Sequence, residues 1–473
     1  MSRHFWLLFH RWGGLILTVP LIIVGLTGSI IAFNKEMNHL LTPERYATPQ
    51  PDVPKLDLAT LAARATTSAP PGGVIQQIAI SEESVRIVVM PPINMAAMLA
   101  KKEKMEKMMA SGGFSMLFNM FSMQAELMKD MAFPPYTLYL DPWTGKELAR
   151  EKQIVGSSWE RGLMPFIHDL HDRLALPVLG NWVLGIIALL WTLDSFISYY
   201  LTFPVTRRKG NDATAPGKSW WARWKPAWKI KTGASTYRLN FDLHRANGLW
   251  LWPLLFVFAW SSVMFNLNSV YTFVTKSLFE YTVPVKSEAN KLAQQRMAKQ
   301  MEQMKAQNEP LPEVGEILVS ARRLADEEGA RLGIALGEIT SYSNQMGIMG
   351  NGSLTSVSLL LNTPDCAGVD ERRCRASLQF DARTGTLVEP LKLQNQMEQT
   401  ENEPLGNFIS RWLRKLHYGQ TLGLWYQIVV CITGIVIAML SITGIYIWWK
   451  KRRARKHSEA MKAEAELAAD VTT

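Results

Sequence analysis

Four long stretches of this 473-residue sequence hold almost no charged side chains, and they limit what the chain can fold into. Asp, Glu, Lys and Arg are absent from residues 12–34, 246–275 and 416–449, and residues 174–206 contain only Asp194. Each stretch exceeds the ~20 residues that a helix needs to cross a bilayer core. The sequence therefore predicts four transmembrane helices. The composition is 48% hydrophobic and 19% charged residues, which indicates that water-exposed domains lie between these helices.

The basic residues around these stretches are unevenly distributed. Residues 207–245 contain ten Lys and Arg against two acidic residues, and four basic residues follow the last stretch from Lys450 onward. Arg3 and Arg11 precede the first stretch. The positive-inside rule places all three regions in the cytoplasm, so both termini are predicted to be cytoplasmic. Because the formal charge of +10 is mainly this topology signal, we expect lipid rather than nucleic acid as the partner.

Spans and water-exposed segments alternate along the predicted chain. Their order is the N-terminus with the first span (1–34), a first outer domain (35–165) with a Met-rich insertion at about 95–131, the second span (166–206), a basic loop (207–243), the third span (244–269), a second outer domain (270–412), the fourth span (413–449) and a basic tail (450–473). Both outer domains are expected to be α+β, since each mixes a helical pattern with short β-rich runs.

The two halves of the chain resemble each other in layout. A histidine precedes each span, and the separation is 161 residues from His10 to His171 and 173 from His244 to His417. Each outer segment also ends in a predicted strand followed by an Asp-x-x-Thr-Gly turn, one beginning at Asp141. We predict two tandem repeats with the same direction through the membrane.

The four repeated histidines are candidate metal ligands. The first and third spans run outward, which places His10 and His244 at the cytoplasmic face. The second and fourth spans run inward, which places His171 and His417 at the outer face. Two imidazoles from facing helices are the usual axial ligands of b-type haem. The pattern predicts two haems, one near each face.

Two further residues near these histidines leave several roles open. His168 lies three residues before His171 on the same helical face. It is interpreted as an alternative cofactor ligand, a hydrogen-bond partner or a proton donor. Asp194 is the one acidic residue well inside a predicted span, within the stretch 174–206. Its candidate roles are pairing across the bundle, contact with a haem propionate, proton handling and charge compensation.

Several motifs together resemble the PepSY-associated transmembrane family. They are residues 10–15 with the Gly25–Gly28 motif, residues 189–194, 237–245 and 258–263, and both Asp-x-x-Thr-Gly turns. The resemblance implies a bacterial inner-membrane reductase with two haems that reduces ferric-siderophore iron on the periplasmic side. His168 and the Met-rich insertion depart from the family pattern. Thioethers favour Cu(I), so a copper substrate stays open beside iron.

The sequence offers no binding site for a nucleotide electron donor. The sequence contains no Gly-x-Gly-x-x-Gly or Walker motif, and the inner loop is too short for a nucleotide domain. The electron donor would then be a quinol or a separate cytoplasmic reductase. The alternatives are a haem-free PepSY sensor or regulator and an iron or copper permease. A permease is disfavoured because the spans contain few polar groups.

Overall fold

The computed structural model describes residues 2–92, 132–152, 160–176, 179–205, 219–282, 312–344, 354–361, 375–393, 403–419 and 422–471. The chain forms two compact units. A helical unit takes residues 1–37, 162–282 and 404–473, and a sheet unit takes residues 38–161 and 283–403. The predicted Met-rich insertion at about 95–131 lies outside the described residues.

Twelve α-helices occur in the described part of the chain. In chain order they are α1 (Arg3–Ile31), α2 (Asn34–Leu41), α3 (Leu58–Ser68), α4 (Leu163–Arg173), α5 (Gly180–Leu201), α6 (Trp220–Trp224), α7 (Thr236–Trp250), α8 (Trp252–Asn266), α9 (Asn268–Leu278), α10 (Val314–Leu332), α11 (Leu405–Tyr418) and α12 (Leu424–Val471). Helices α3 and α10 belong to the sheet unit.

Three of these helices are long and apolar enough to cross a membrane. They are α1 with 29 residues, α5 with 22 and the first 39 residues of α12. Helices α7 and α8 also meet the requirement together, but they are bent by 70° where they join. The chain is therefore a helical membrane protein, and the third predicted span (244–269) falls on this bent pair.

Short breaks divide the segments that the sequence predicted as continuous spans. After α4, Leu174 and Ala175 adopt left-handed φ angles of 55° and 54°, and α5 begins only at Gly180. Gly419 and Gly423, with φ of 72° and 80°, separate α11 from α12. Left-handed residues end helices, so 166–206 and 413–449 each form two helices instead of one. Two of the four histidines consequently lie on separate short helices.

The predicted basic tail at 450–473 is helical over most of its length. Helix α12 continues beyond the apolar stretch as far as Val471. The sequence after Lys450 is rich in Ala, Glu, Lys and Arg, which have the highest helix propensities. A basic composition marks the side of the membrane, but it does not end a helix.

Helices α1 and α12 approach closely at two glycines. A methyl group at Gly25 would lie 2.6 Å from the carbonyl oxygen of Gly434. The Ser29 Oγ lies 2.8 Å from the Cys431 carbonyl oxygen, to which it can donate across the contact. In lipid the hydrophobic effect does not drive helices together, because the lipid tails are as apolar as the side chains. Close packing at small residues and interhelical hydrogen bonds of this kind hold the helices together instead. Gly25 thus serves helix packing.

Eight strands in the described residues form one antiparallel sheet. They are β1 (Val74–Ile80), β2 (Val85–Met90), β3 (Tyr136–Leu140), β4 (Glu147–Lys152), β5 (Leu336–Asn344), β6 (Leu354–Leu361), β7 (Arg375–Asp381) and β8 (Thr386–Leu393). The strand order is β4-β3-β2-β1-β5-β6-β7-β8. Each half is a four-stranded meander, and α3 and α10 cover the shared apolar face.

The sheet corrects the expectation of two separate outer domains. The first strands of the two meanders pair directly, with Ile78 opposite Tyr342, and both side chains are buried. Burial raises the pKa of Tyr342 to about 12, so its phenol stays neutral in this core. Each meander alone would leave an apolar edge strand open, and pairing β1 with β5 removes both edges. The two repeated segments therefore share one hydrophobic core.

A cross-link tests this shared sheet. Gln77 and Ser343 are directly opposed across β1 and β5. We expect Gln77→Cys with Ser343→Cys to form a disulfide in most of the protein upon oxidation, since opposed Cα atoms lie about 4.5–5.5 Å apart. The background would have the three native cysteines replaced by serine, and mass spectrometry of the digested protein would detect the link.

The matched control for the cross-link places the second cysteine one strand farther away. Ser356 pairs with Ser343 on the far side of β5. Two strand spacings of about 4.8 Å exceed the reach of a disulfide. Equal cross-linking of Gln77→Cys with either partner would contradict the β1–β5 register.

The two Asp-x-x-Thr-Gly turns are confirmed. Asp141 Oδ1 accepts hydrogen bonds from the amides of residues 143 and 144, at 2.8 and 3.2 Å. Asp381 Oδ1 accepts the corresponding two bonds at 2.9 and 3.1 Å. Gly145 and Gly385 close the turns at φ of 67° and 62°, which favours glycine. The same local structure occurs once in each meander.

Candidate functional site

The four repeated histidines form two pairs within the helical unit. The ring centres of His10 and His244 lie 6.2 Å apart, and those of His171 and His417 are also 6.2 Å apart. Each pair combines one histidine from each half of the chain. The sequence predicted both pairings from the direction of the spans.

The two pairs lie far apart along the bundle. His10 is near the start of α1, and Thr27, which contacts His171, lies 17 residues farther along the same helix. At 1.5 Å per residue this separation is about 26 Å. A bilayer core is about 30 Å thick, so the pairs lie near opposite ends of a membrane-spanning length.

Helix α1 holds His171 through one nitrogen. The Nδ1 of His171 lies 3.0 Å from the Val24 carbonyl oxygen and 3.1 Å from Thr27 Oγ1. The Thr27 hydroxyl donates to the Ile23 carbonyl, so its oxygen acts as an acceptor toward the ring. A carbonyl also only accepts. Nδ1 therefore carries the hydrogen, and the lone pair of the ring is on Nε2.

Helix α12 holds His244 in the same way. The Nδ1 of His244 lies 3.0 Å from the Leu440 carbonyl oxygen and 3.1 Å from Thr443 Oγ1. The Thr443 hydroxyl donates to the Met439 carbonyl. The ring is thus fixed in the same tautomer as His171, by the same pair of groups at the same spacing.

The remaining two histidines bond to side chains alone. His417 Nδ1 lies 2.6 Å from Ser261 Oγ, whose hydroxyl is placed to donate to the Val257 carbonyl. His10 Nδ1 lies 2.9 and 3.0 Å from the two carboxylate oxygens of Asp194. A carboxylate accepts, so His10 also donates from Nδ1. All four imidazoles accordingly present Nε2 as the nitrogen able to bind a metal.

The supporting residues repeat as the histidines do. Thr27 follows His10 by 17 residues, and Ser261 follows His244 by 17 residues. Each of these hydroxyls anchors the second histidine of its own half. Each histidine is therefore anchored by another helix of its own half of the chain. The two halves come into contact where their histidines form the pairs.

Each pair has room for one atom between its rings. An imidazole nitrogen binds a first-row metal at about 2.0–2.1 Å. Two such bonds take up about 4 Å of the 6.2 Å between the ring centres. About 1 Å remains on each side, which is the distance from a ring nitrogen to the centre of its own ring. The spacing suits a metal ion that binds one nitrogen of each ring.

A cavity of about 360 Å³ surrounds the His10–His244 pair. Gly14 and Gly248, each four residues after a histidine, line this cavity, and a methyl group at either would meet no atom within 4 Å. Most of the wall is apolar. Its basic side chains are Arg11, Arg245 and Lys451. The cavity therefore suits a flat apolar ligand that carries acidic groups.

Aromatic rings and a glycine enclose the His171–His417 pair. Phe258 and Phe265 lie edge-on to His417, with ring centres 5.3 and 5.1 Å away. A methyl group at Gly28 would lie 2.9 Å from Cε1 of His171. Gly28 therefore allows the imidazole to lie against the backbone of α1, which explains the Leu-Thr-Gly motif at this position.

The structure gives a hydrogen-bond partner to each of the two residues whose role the sequence left open. The Nε2 of His168 lies 3.2 Å from Asn34 Oδ1, so His168 makes a hydrogen bond beside the pair. Asp194 is only 7% exposed and contacts His10. The hydroxyl anchors were missed in the sequence, although the repeated 17-residue spacing could have indicated them.

Comparison with known proteins agrees with this layout. No curated protein matches the chain. The model of a family described as the PepSY-associated TM region matches residues 7–451, which include all four histidines and both meanders. The chain belongs to the PepSY-associated transmembrane family, as its motifs predicted.

Proposed function

We propose that this protein is a transmembrane oxidoreductase that passes electrons across the membrane through two b-type haems. The main support is the occurrence of two equivalent histidine pairs, each with ring centres 6.2 Å apart and with Nδ1 engaged. A pair fills only two coordination positions of a metal. A porphyrin supplies the other four, whereas a structural zinc site takes its ligands from four side chains.

The residues around the first pair fit a haem. His10 and His244 would hold the iron. The glycine-lined wall at Gly14 and Gly248 leaves space for a macrocycle, and Arg11 and Lys451 offer positive charge to the propionates. A haem bound here supplies a reversible one-electron couple.

The protein's own residues prepare these sites. Thr27, Ser261 and Thr443 orient three imidazoles and keep the proton on Nδ1. The imidazoles need no proton transfer when the oxidation state changes. The apolar and aromatic walls exclude water, which strengthens the electrostatic influence of each anchoring group on its site.

The topology that we propose has four spans arranged as two tandem parallel repeats, with the bent α7–α8 pair as the third span. Both termini lie in the cytoplasm of a bacterial cell, and the protein is embedded in its inner membrane. The distribution of Lys and Arg supports this direction. His10 and His244 are then near the cytoplasmic face, and His171 and His417 are near the periplasmic face.

The proposed substrate is the iron of a ferric siderophore on the periplasmic side. This assignment is supported by the resemblance of the motifs to dihaem siderophore reductases within the family. Reduction weakens the hold of hard oxygen ligands on the iron, so ferrous iron is released. Electrons enter on the cytoplasmic side from a quinol or a separate reductase.

Sealed liposomes test the proposal. The purified haem-loaded protein would be reconstituted in liposomes that enclose dithionite, with a ferric siderophore and a chromogenic Fe(II) chelator outside. We expect Fe(II) to appear outside only when the haem-loaded protein is present. The matched control is the His10→Ala/His244→Ala protein, which we expect to be inactive because one step of the electron path is removed.

Three other outcomes of the liposome assay would change the proposal. Faster reduction of Cu(II) than of any ferric chelate would make copper the substrate. Metal crossing the membrane without enclosed reductant would indicate a permease. A haem-loaded protein that reduces neither metal would contradict the reductase function.

A further inference from the structure

We propose that Asp194 makes the two haem sites unequal, so that electrons run from the His10–His244 pair to the His171–His417 pair. This inference rests on the proposed haem function. It adds a positioning residue that acts through His10 on the potential of one site and thereby sets the direction of transfer.

The groups that anchor the four histidines differ in charge at one position. Three imidazoles donate to neutral groups, which are hydroxyl and backbone carbonyl oxygens. His10 alone among the four donates to a carboxylate, with both oxygens within 3.0 Å. The carboxylate is buried, since Asp194 is 7% exposed.

The repeat shows that this carboxylate is an addition to a common design. Asp194 follows His171 by 23 residues, and the residue that follows His417 by 23 is Leu440. The Leu440 backbone carbonyl receives the hydrogen bond from His244. Equivalent positions therefore anchor the two histidines of one pair, once with a charge and once without.

A carboxylate on the far nitrogen makes an imidazole a stronger electron donor. A stronger donor stabilises Fe(III) relative to Fe(II), which lowers the reduction potential of that site. Arg11, Arg245 and Lys451 line the same cavity and act in the opposite direction, but Asp242 already pairs with Arg245, and haem propionates would neutralise the other two charges. The carboxylate acts through the ligand itself, so we expect its effect to dominate.

His10 and His244 would hold the iron that gives up one electron, going from Fe(II) to Fe(III). His171 and His417 would hold the iron that accepts it, going from Fe(III) to Fe(II), and no bond to hydrogen would change. The proton stays on Nδ1 of His10. A quinol or cytoplasmic reductase resupplies the electron, and a ferric chelate outside accepts it.

Asp194→Asn tests the inference, because the amide oxygen keeps the hydrogen bond but loses the charge. A spectroelectrochemical titration of the haem-loaded protein should resolve two one-electron couples. In Asp194→Asn we expect the lower couple to become at least tenfold easier to reduce, a rise of about 59 mV for one electron, while the other couple is unchanged. Asp194→Glu should return the lower couple toward its original value.

A matched variant and two single-haem proteins complete the test. Ser261→Ala should shift only the higher couple, since Ser261 anchors His417. The couple retained in His417→Ala should be at least tenfold harder to reduce than the couple retained in His10→Ala. This comparison tests the inequality of the two sites independently of any change at Asp194, and the Asp194→Glu and Asp194→Asn variants test its cause.

The failures of the two proposals are distinguishable. If the protein binds two haems but Asp194→Asn shifts neither couple, or both equally, the role of Asp194 is wrong and the haem function stands. The same holds if the His417→Ala protein retains the higher couple. If the wild-type protein binds no haem, the proposed function itself is wrong.

Discussion

Replacing either histidine of one pair should remove the same haem and leave the other. We expect His10→Ala and His244→Ala to give the same spectrum, with one haem per chain, because each haem depends on two ligands from different halves of the chain. His171→Ala and His417→Ala should give a second, complementary spectrum. The measurement is haem per chain with the reduced-minus-oxidised spectrum of each purified variant.

Double variants and one neighbour sharpen this prediction. His10→Ala/His244→Ala should resemble either single variant, whereas His10→Ala/His171→Ala should bind no haem. His168→Ala is the matched control, since His168 is one helical turn from His171 but bonds to Asn34. It should retain both haems. Loss of the same haem from His10→Ala and His171→Ala would contradict the pairing.

Gly28→Ala should expel the haem from the His171–His417 pair. The added methyl would lie 2.9 Å from Cε1 of His171, so the imidazole has to move. Overpacking of this kind typically costs about 1–3 kcal/mol, which corresponds to roughly 5- to 150-fold weaker haem retention. Haem content after dilution into haem-free detergent measures the loss.

The second half of the chain provides the comparison for this variant. Gly444 faces His244 as Gly28 faces His171, but a methyl group there would lie 3.4 Å from Cε1, which is an ordinary contact. Gly444→Ala should therefore retain its haem much better than Gly28→Ala. Equal haem loss in both variants, or in neither, would show that the gap between glycine and imidazole does not control binding.

Much of the fold could be predicted from local patterns in the sequence. The charge-free stretches located the apolar helices, and the Asp-x-x-Thr-Gly spacing gave both turns because a carboxylate accepts from the next amides wherever that spacing occurs. The repeated position of four histidines identified the two pairs. These features depend on residues that are close in sequence or that repeat with a fixed spacing.

Contacts between distant residues could not be read from the sequence. Asp194 contacts His10, which lies 184 residues earlier in the chain. The role of Asp194 could not be assigned before this contact was known. Thr27 and Ser261 look like ordinary packing residues of apolar helices until the ring beside each is seen. The β1–β5 pairing joins strands from different halves of the chain. An open edge strand can pair with any strand that reaches it, so local propensity does not identify the partner.

The most direct test of the account is the absorption spectrum of the detergent-purified wild-type protein from haem-replete cells, with haem quantified as the pyridine haemochrome. Two b-type haems per chain, with a sharp α-band on reduction by dithionite, are the predicted result. A well-folded protein without a Soret band would contradict the central claim, and the haem-free sensor would then become the leading hypothesis for this membrane protein.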